Sequence, residues 1–399
     1  MVLGRAGTAA SAAAVALAAA FLFFRRLSGK AYDGLSSIIS FSSKMIAASR
    51  AVEAGEEHPL VTDPLAEGMA GDAAIATSRR RAVPAPEGSE RKYKVGKMAI
   101  RTRWFDDQIE AALGMPVSTH IPACLRVAGA PMSVDLGAYV WTHPQGHEPR
   151  QLVMLGAGMD SRPWRMKLPA DLRWFEVDQR DVVEAKRGLL RQLAAEVPPG
   201  VGEDSEPSTP TGARTSSGLA RHLSIDKTRF PLRCGSWASV PADLGDPAWA
   251  DALLAAGFDP SKPTVWVAEG LLMYLEQPLV EALLQKIAEL SPAGSALVAV
   301  SLTDSAMQRM KARQAGGARN SLLSTWVFGC PDDPTEFLAK NGWQLQLQTD
   351  RAKQAAALGI DPELCAFGPS GSTNGSTEGR ADGSLFLVCT PAAAAGAAQ

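Results

Sequence analysis

The sequence lacks the features that mark a disulfide-bonded or nucleic-acid-binding protein. Its five cysteines are widely scattered and no two form a C-x-x-C pair, which indicates ordinary thiols in a reducing compartment. The 40 basic and 42 acidic side chains give a formal net charge of −2. Because phosphate recognition needs a basic surface excess, this balance argues against nucleic acid as a partner.

Histidine is also scarce, with five in 399 residues. His143 and His147 are four positions apart, a spacing that would align two metal ligands on a helix. Pro144 and Gly146 prevent that helix, so the segment predicts a solvated loop. We therefore expect no metal.

Acidic residues are absent before Asp33, and 19 uncharged residues, many of them alanine, separate Arg5 from Arg25. An acid-free leader rich in alanine, serine and arginine is typical of transit peptides, so we expect residues 1–32 to direct the chain to a plastid or mitochondrion. The alternative is a weak membrane anchor facing the cytoplasm, because the run is just long enough to cross a bilayer and Arg25 begins a basic flank. Either way this leader lies outside the fold.

The rest of the chain has a globular composition, 46% hydrophobic and 21% charged, with ample material for a large core. Residues 35–130 have mainly helical patterns, among them an amphipathic helix that opens at Arg101. Residues 198–220 lack periodic hydrophobicity and concentrate proline, glycine, serine and threonine, which predicts a disordered surface insertion.

Short apolar runs alternate with helical patterns from residue 150 to 302. The predicted strands are 152–155, 174–177, 238–240, 264–268 and 296–302, followed by 343–348 and 385–389. The predicted helices are 181–193, 249–256 and 279–290, then 335–340; the first should carry Lys186 and Arg187 on its surface. Such alternation indicates an α/β fold with a doubly wound parallel sheet.

The first of these strands ends abruptly at Gly156-Ala157-Gly158. Glycine has no Cβ, so it can take positive φ and let a ligand lie against the backbone. Asp178 follows Gly158 by twenty positions, where the second strand of a nucleotide-binding unit offers a carboxylate to ribose hydroxyls. The combination describes a site for an adenosine-containing cofactor.

Two cofactor classes compete for this pattern. A dinucleotide fingerprint places a third glycine where this chain has Ser161, and Asp160 would face the pyrophosphate at close range. S-adenosyl-L-methionine carries no phosphate and tolerates an acidic residue there. By itself the glycine turn leaves both cofactor classes, and a purely structural turn, open.

Four residues that could contact a ligand fall at predicted carboxyl ends of strands: Gly156, Asp178, Asp243 and Glu269. In a doubly wound sheet the ligand binds outside those ends. This convergence is stronger evidence for one site than any single motif.

Several motifs together resemble one family. They are Arg50-Ala51, DPLA (63–66), RTRWFDD (101–107), LGAGMDSRPWR (155–165), FEVDQ (175–179) with Lys186, ADL (242–244), GFDPSKP (257–263) and EGLLMYL (269–275), in family order within residues 40–390. On these residues the sequence resembles the leucine carboxyl methyltransferase family of S-adenosyl-L-methionine-dependent methyltransferases, and most closely its bacterial-type branch, which includes polyketide O-methyltransferases. The leader and the insertion depart from the compact family pattern.

The resemblance implies a class I methyltransferase fold, a Rossmann-like sheet of seven strands with the last antiparallel. Residues 33–130 would form an N-terminal helical cap. Residues 131–399 would form the α/β domain that binds S-adenosyl-L-methionine.

It also implies a set of cofactor-binding residues. Gly156 and Gly158 would approach the methionine part, Asp178 the ribose hydroxyls, Asp243 and Leu244 the adenine, and Glu269 the amino group. Arg101 would pair with the methionine carboxylate through its planar fork.

Other readings stay open for several side chains near these positions. Without the family pattern, Arg101 and Arg103 would be expected to form helix-surface ion pairs with Asp106 or Asp107. Glu176 is as well explained by backbone donors at a strand end as by a ligand. Met159 and Trp164 are expected in the core, and Tyr274 either lines a substrate pocket or packs.

The implied activity is O-methylation of a carboxylate or hydroxyl on a small molecule or a peptide C-terminus. No histidine stands in a motif position, so no catalytic base is named, and an ionised carboxylate needs none. A nicotinamide-dependent oxidoreductase and a non-catalytic binding protein of the same fold remain the rival functions.

Overall fold

The computed structural model describes residues 35–118, 120–126, 140, 149–199, 228–315, 322–366 and 383–392. The expected leader, His143, His147 and nearly all of the predicted insertion lie outside these residues.

A mixed seven-stranded sheet organises the chain. Its strands are β1 (Gln151–Leu155), β2 (Arg173–Asp178), β3 (Ser236–Pro241), β4 (Thr264–Ala268), β5 (Ala296–Leu302), β6 (Trp343–Thr349) and β7 (Ser384–Pro391), in the order β3-β2-β1-β4-β5-β7-β6. Strands β1 to β5 pair in parallel, and β7 is antiparallel to both β5 and β6. The order reverses at β1, which opens a crevice between the loops that follow β1 and β4.

Helices pack on both faces of this sheet. In chain order α1 to α11 are Ile38–Ala54, Ala66–Ala70, Asp72–Arg81, Lys97–Ala112, Arg162–Arg165, Arg180–Gln192, Trp249–Ala255, Gln277–Glu289, Asp304–Ala315, Thr335–Lys340 and Arg351–Ala357. Strands β1 and β4 are buried along their whole length, as expected for apolar runs covered on both faces. The predicted helices and strands that fall in the described residues are all present.

The two faces of the sheet have separate hydrophobic cores. One core joins the side chains of the N-terminal helices, such as Trp104, to Met154, Val298 and Phe386 of the sheet. The rings of Trp104 and Phe386 are 4.8 Å apart, so α4 lies directly on the sheet. The fold is thus the class I methyltransferase fold, an α/β sheet with an N-terminal helical cap; its division at residue 130 stays a prediction.

The expected exposure of Lys186 and Arg187 is wrong. Their exposed fractions are 2% and 6%, because α6 turns this face toward β2 and β3. Lys186 Nζ lies 2.5 Å from Glu176 Oε2, and Arg187 donates to Ser239 Oγ at 3.2 Å. Long cationic side chains are buried here because each finds a buried acceptor.

Candidate active site

A cavity of about 320 Å³ lies at the carboxyl ends of the parallel strands. Its size falls within the range of small-molecule sites. It is covered by α1, whose Ser40, Ser43 and Ile46 face it. All seven residues expected to bind a cofactor line it: Arg101, Gly156, Gly158, Asp178, Asp243, Leu244 and Glu269.

The turn after β1 depends on two glycines in the left-handed region. Gly156 has φ +65° and Gly158 has φ +51°, which side chains with a Cβ rarely adopt. A Cβ on Gly158 would lie 2.8 Å from Ser43 Cβ of the covering helix. The missing side chains therefore let both α1 and a ligand approach this backbone.

Asp178, the last residue of β2, is fixed by that turn. Its Oδ2 accepts from the Gly158 N–H at 2.6 Å and its Oδ1 from the Gln179 N–H at 2.7 Å. Burial raises the pKa of Asp178 to about 6, although both backbone donors favour the charged form. Each oxygen keeps a lone pair, so the carboxylate can still accept from a ligand's hydroxyls.

Asp243 and Leu244 follow β3 at the next position along the sheet. Asp243 is exposed at the edge of the cavity, and its Oδ1 accepts from the Gly245 N–H at 2.9 Å. Leu244 is half-buried against the second hydrophobic core, on the sheet face opposite Trp104. The pair offers an acceptor and an apolar contact in one place.

Glu269 follows β4 and is held by two arginines. Its Oε1 accepts from Arg101 Nε at 2.9 Å and its Oε2 from Arg162 at 2.8 Å. Burial alone would raise the pKa of Glu269, but the Arg162 and Arg101 guanidiniums outweigh it and lower that pKa. Gly270, at φ +73°, leaves room beside the terminal nitrogens of Arg101, since a Cβ there would lie 3.2 Å from Nη1.

Arg162 is the centre of the charges behind the cavity, with an exposed fraction of 1%. Besides Glu269 it donates to Asp106 Oδ1 at 2.7 Å and to both oxygens of Asp160, through its side chain and through its backbone N–H. Asp160 is thereby turned toward Arg162. Burial would raise the pKa of Asp160, but Arg162 and Lys186 lower it.

A second carboxylate, Asp63, joins the turn to the cap. It accepts from Arg50 Nε at 2.8 Å and from Ser161 Oγ at 2.6 Å. Arg165 binds both oxygens of Asp106 at 2.7 Å. The serine in the third-glycine position is thus a buried link between the glycine turn and the helical cap.

The alternative of helix-surface ion pairs for Arg101 and Arg103 holds only in part. Arg101 pairs with Glu269 across the cavity, whereas Arg103 does pair with Asp107, at 2.8 Å, but in a buried setting. Asp106 faces Arg162 and Arg165. Helix α4 is buried on nearly all sides, so these charged side chains are buried and not exposed to solvent.

The remaining open residues have definite positions. Glu176 contacts the Lys186 ammonium, and burial raises the pKa of Glu176 despite that cation. Met159 and Trp164 are in the core as expected. Tyr274 lines the cavity, its hydroxyl 3.5 Å from Ser42 Oγ and its ring edge-on to Trp326.

Sequence reasoning missed two groups of residues here. The first is Arg162, which belongs to the LGAGMDSRPWR motif. Its place two positions after Asp160, just past the glycine turn, was the available signal. The cavity also continues to Trp326 and Arg351, which lie far along the chain from every quoted motif. No local pattern marks these two residues as neighbours of the site.

The residues present fit S-adenosyl-L-methionine. Asp160 lies in the turn and Asp178 lies beside it, so acidic side chains occupy the place to which a dinucleotide would bring its pyrophosphate. The open space beside Arg101 suits a carboxylate, and Asp178 suits hydroxyl donors. In the described residues no cluster of three metal-ligating side chains occurs.

Comparison with known proteins points the same way. The sequence profile of the leucine carboxyl methyltransferase family matches residues 43–119 and 143–288. A Frankia alni protein classed as an S-adenosyl-L-methionine-dependent methyltransferase is 31% identical over 78% of this chain and 84% of its own length. A Streptomyces avermitilis protein of the same class is 31% identical over 78% and 85%.

A crystal structure of a DUF574 family protein from Streptomyces avermitilis resembles this one with a TM-score of 0.43, at 14% identity, over 87% of this chain and 97% of that one. The relatives are proteins of actinobacteria, which have neither plastids nor mitochondria. The expected organellar location is therefore wrong. Within the described ranges no helix is long and apolar enough to cross a membrane; residues 1–32, for which a membrane anchor was the alternative, lie outside those ranges.

Proposed function

Since this chain belongs to the leucine carboxyl methyltransferase family and is an S-adenosyl-L-methionine-dependent methyltransferase, we propose that it methylates an oxygen atom. The acceptor is a carboxylate or hydroxyl on a small molecule or on a peptide C-terminus. We propose further that residues 33–130 cover the site and that residues 131–399 bind the cofactor.

The cofactor lies across the ends of β3, β2, β1 and β4 in this proposal. Asp243 and Leu244 contact the adenine, Asp178 accepts from the ribose hydroxyls, and Gly156 and Gly158 run beside the methionine part. Arg101 pairs with the methionine carboxylate and Glu269 faces the amino group. The observation that carries the proposal is that all seven side chains and glycines line one cavity.

The cofactor supplies a methyl group on a sulfonium, which is already activated for in-line displacement. The protein then has to align the acceptor and exclude water. Covering helix α1 serves the second task, because its residues face the cavity directly over the glycine turn. The buried charges around Arg162 hold the cofactor-facing carboxylates in place before the ligand binds.

The lining of the cavity supports an acceptor that needs no general base. No histidine is among the described residues that line it, and its carboxylates are all engaged by arginines or backbone donors. A carboxylate is ionised at neutral pH and has no proton to lose. A carboxylate or an acidic hydroxyl therefore suits this site better than an alcohol.

Two rival functions are less well supported. A nicotinamide-dependent oxidoreductase would need a third glycine where Ser161 is bonded to Asp63. The retained cofactor residues, which all line one cavity, argue against a non-catalytic binding protein of the same fold. Thermal protection by S-adenosyl-L-methionine, by a nicotinamide cofactor or by neither separates the three functions.

The test is calorimetric titration of the full chain with S-adenosyl-L-methionine and S-adenosylhomocysteine. We expect saturable binding, and we expect Asp178→Ala to weaken it at least about tenfold, because hydrogen bonds to a charged group contribute roughly 1.5–3 kcal/mol. Asp171→Ala is the matched control: this exposed aspartate precedes the same strand at its opposite end. Unchanged affinity in Asp178→Ala would contradict the site assignment.

A further inference from the structure

The cavity is longer than the proposed cofactor position. The seven cofactor residues follow β3, β2, β1 and β4, or face those ends, and none of them follows β5 or β7. Yet the cavity continues past β5, where Val300 and Leu302 line it, and on to Arg351 beside β7. Neighbouring strands are about 4.8 Å apart, so this part lies roughly one to two strand spacings beyond Glu269.

This acceptor end, which we define by Met98, Val300, Leu302, Trp326 and Arg351, is mostly apolar. The exception is a guanidinium. Arg351 is 8% exposed, and its Cζ lies 6.0 Å from the centre of the Phe386 ring. Its backbone N–H donates to Ser384 Oγ at 3.3 Å, and Asp350 caps the helix that begins at Arg351. A fixed, buried cation thus faces an apolar pocket.

A second donor lies in the same end of the cavity. The indole Nε1 of Trp326 is buried without a hydrogen-bond partner in the described part of the chain. The ring is held edge-on to Tyr274 at 6.3 Å, and the next residue, Val327, donates its N–H to Met273 O at 2.8 Å. Buried tryptophan N–H groups normally find an acceptor. Of the four in the described residues that have none, only Trp326 lines the cavity, where an oxygen of a ligand can reach it.

We propose that Arg351, with Trp326 Nε1, binds an anionic group of the methyl acceptor that is not itself methylated. The inference rests on the proposed function and names its substrate class: an apolar molecule that carries an acidic group apart from the reacting oxygen, such as a hydroxy acid or a dicarboxylic acid. The reacting oxygen cannot be the group that Arg351 holds, because pairing with a guanidinium stabilises an oxyanion and lowers its nucleophilicity. Arg351 is a specificity-determining residue in this arrangement.

The experiment titrates the protein, saturated with S-adenosylhomocysteine, with three acids and their matched primary amides: 4-hydroxybenzoate, 4-hydroxycinnamate and dodecanedioate. We expect at least one acid to bind about tenfold or more tightly than its amide. Arg351→Met should remove that preference by weakening the acid alone, and Arg351→Lys should restore part of it. Arg79→Met, at an exposed arginine, is the control that should change neither.

Each outcome is decisive. No preference for any acid, or equal weakening of acid and amide by Arg351→Met, would show that Arg351 only packs against Phe386 and would overturn the proposal. Loss of S-adenosylhomocysteine binding in Arg351→Met would assign the residue to the cofactor and also overturn it. Because binding is measured without turnover, a failure of methyl transfer would count against the proposed function and leave an observed acid preference standing.

Discussion

The two ends of the cavity are built in different ways. At the cofactor end, defined by the seven cofactor residues, carboxylates, arginines and backbone N–H groups are joined by buried hydrogen bonds between 2.6 and 2.9 Å. At the acceptor end most of the lining side chains are apolar, and among the described residues the hydroxyl of nearby Tyr274 makes one contact, at 3.5 Å, with Ser42. The cofactor end is therefore rigid before any ligand arrives, whereas the acceptor end relies on the ligand to complete its hydrogen bonds.

Removing Arg162 should break the cofactor end most severely. Arg162→Met takes away the one guanidinium that contacts Asp106, Asp160 and Glu269 together. Breaking a buried ion pair on one side costs about 3–5 kcal/mol, because a charge is left uncompensated. We expect the free energy of unfolding in urea to fall by that amount and the pKa of Glu269 and Asp160 to rise.

Arg79→Met is the matched control for this change. Arg79 and its partner Glu67 are both exposed and 3.4 Å apart, so the same substitution should cost less than about 1 kcal/mol. A loss of similar size in both variants would contradict the view that the cofactor end is held by buried charge.

Replacing glycine by alanine should destabilise the protein in the glycine turn and stabilise it inside α6. Gly158→Ala forces a Cβ into the left-handed region and against Ser43, and we expect a loss of about 1–3 kcal/mol together with weaker cofactor binding. Gly188→Ala, inside α6 with nothing within 4 Å of the new Cβ, should gain about 0.5–1 kcal/mol. Thermal unfolding of both variants measures the difference. Stabilisation by both would mean that α1 does not press on the turn.

The cofactor end could be predicted from the sequence, whereas the acceptor end could not. The strands and the site residues at their carboxyl ends, from β1 to β4, could be predicted from the sequence. Each is a short local pattern in which an apolar run ends near a glycine or a carboxylate. Sheet neighbours then bring those local patterns together without further information. The resemblance added the antiparallel β7 and the expectation that Arg101 lies at the cofactor site.

What could not be predicted depends on tertiary contacts. Burial of Lys186 and Arg187 follows from how α6 docks on β2, which no local pattern encodes. Helix α9 was missed because Met307 is nearly alone as a buried apolar residue in it, although Asp350 before Arg351 was a usable capping signal for α11. Trp326 and Arg351 meet the cavity from distant segments, so only the folded chain shows that they are neighbours.

Cofactor affinity should depend on pH through Asp178 alone at the cofactor end. Its pKa of about 6 lies above the ordinary value near 3.8, and burial is the main cause. In the free protein this rise contributes stability that is present at low pH and lost as the pH increases through 6. Cofactor affinity should change with pH in the opposite direction. It should increase as the pH rises through 6, because ribose hydroxyls donate to the ionised form of Asp178.

We therefore expect affinity for S-adenosylhomocysteine to fall about tenfold between pH 7 and pH 5, following the ionised fraction of Asp178. Lys186 and Asp181 also influence this carboxyl group, the first lowering and the second raising its pKa. Calorimetry on Asp178→Asn should give a nearly flat profile over the same range. An unchanged slope in that variant would place the titrating group elsewhere.

The smallest effect should come from removing the hydroxyl of Tyr274, which lies beside the acceptor end. Tyr274→Phe removes an oxygen whose one contact in the described structure is Ser42 at 3.5 Å, so we expect a change in unfolding free energy below about 0.5 kcal/mol and unaltered cofactor affinity. Ser161→Ala removes a hydroxyl from the other end, where it donates to buried Asp63 at 2.6 Å, and should cost about 1.5–3 kcal/mol. Urea unfolding of both variants measures the contrast directly. Equal costs would mean that the acceptor end is as tightly bonded as the cofactor end, and that acceptors must fit a pocket already fixed before they bind.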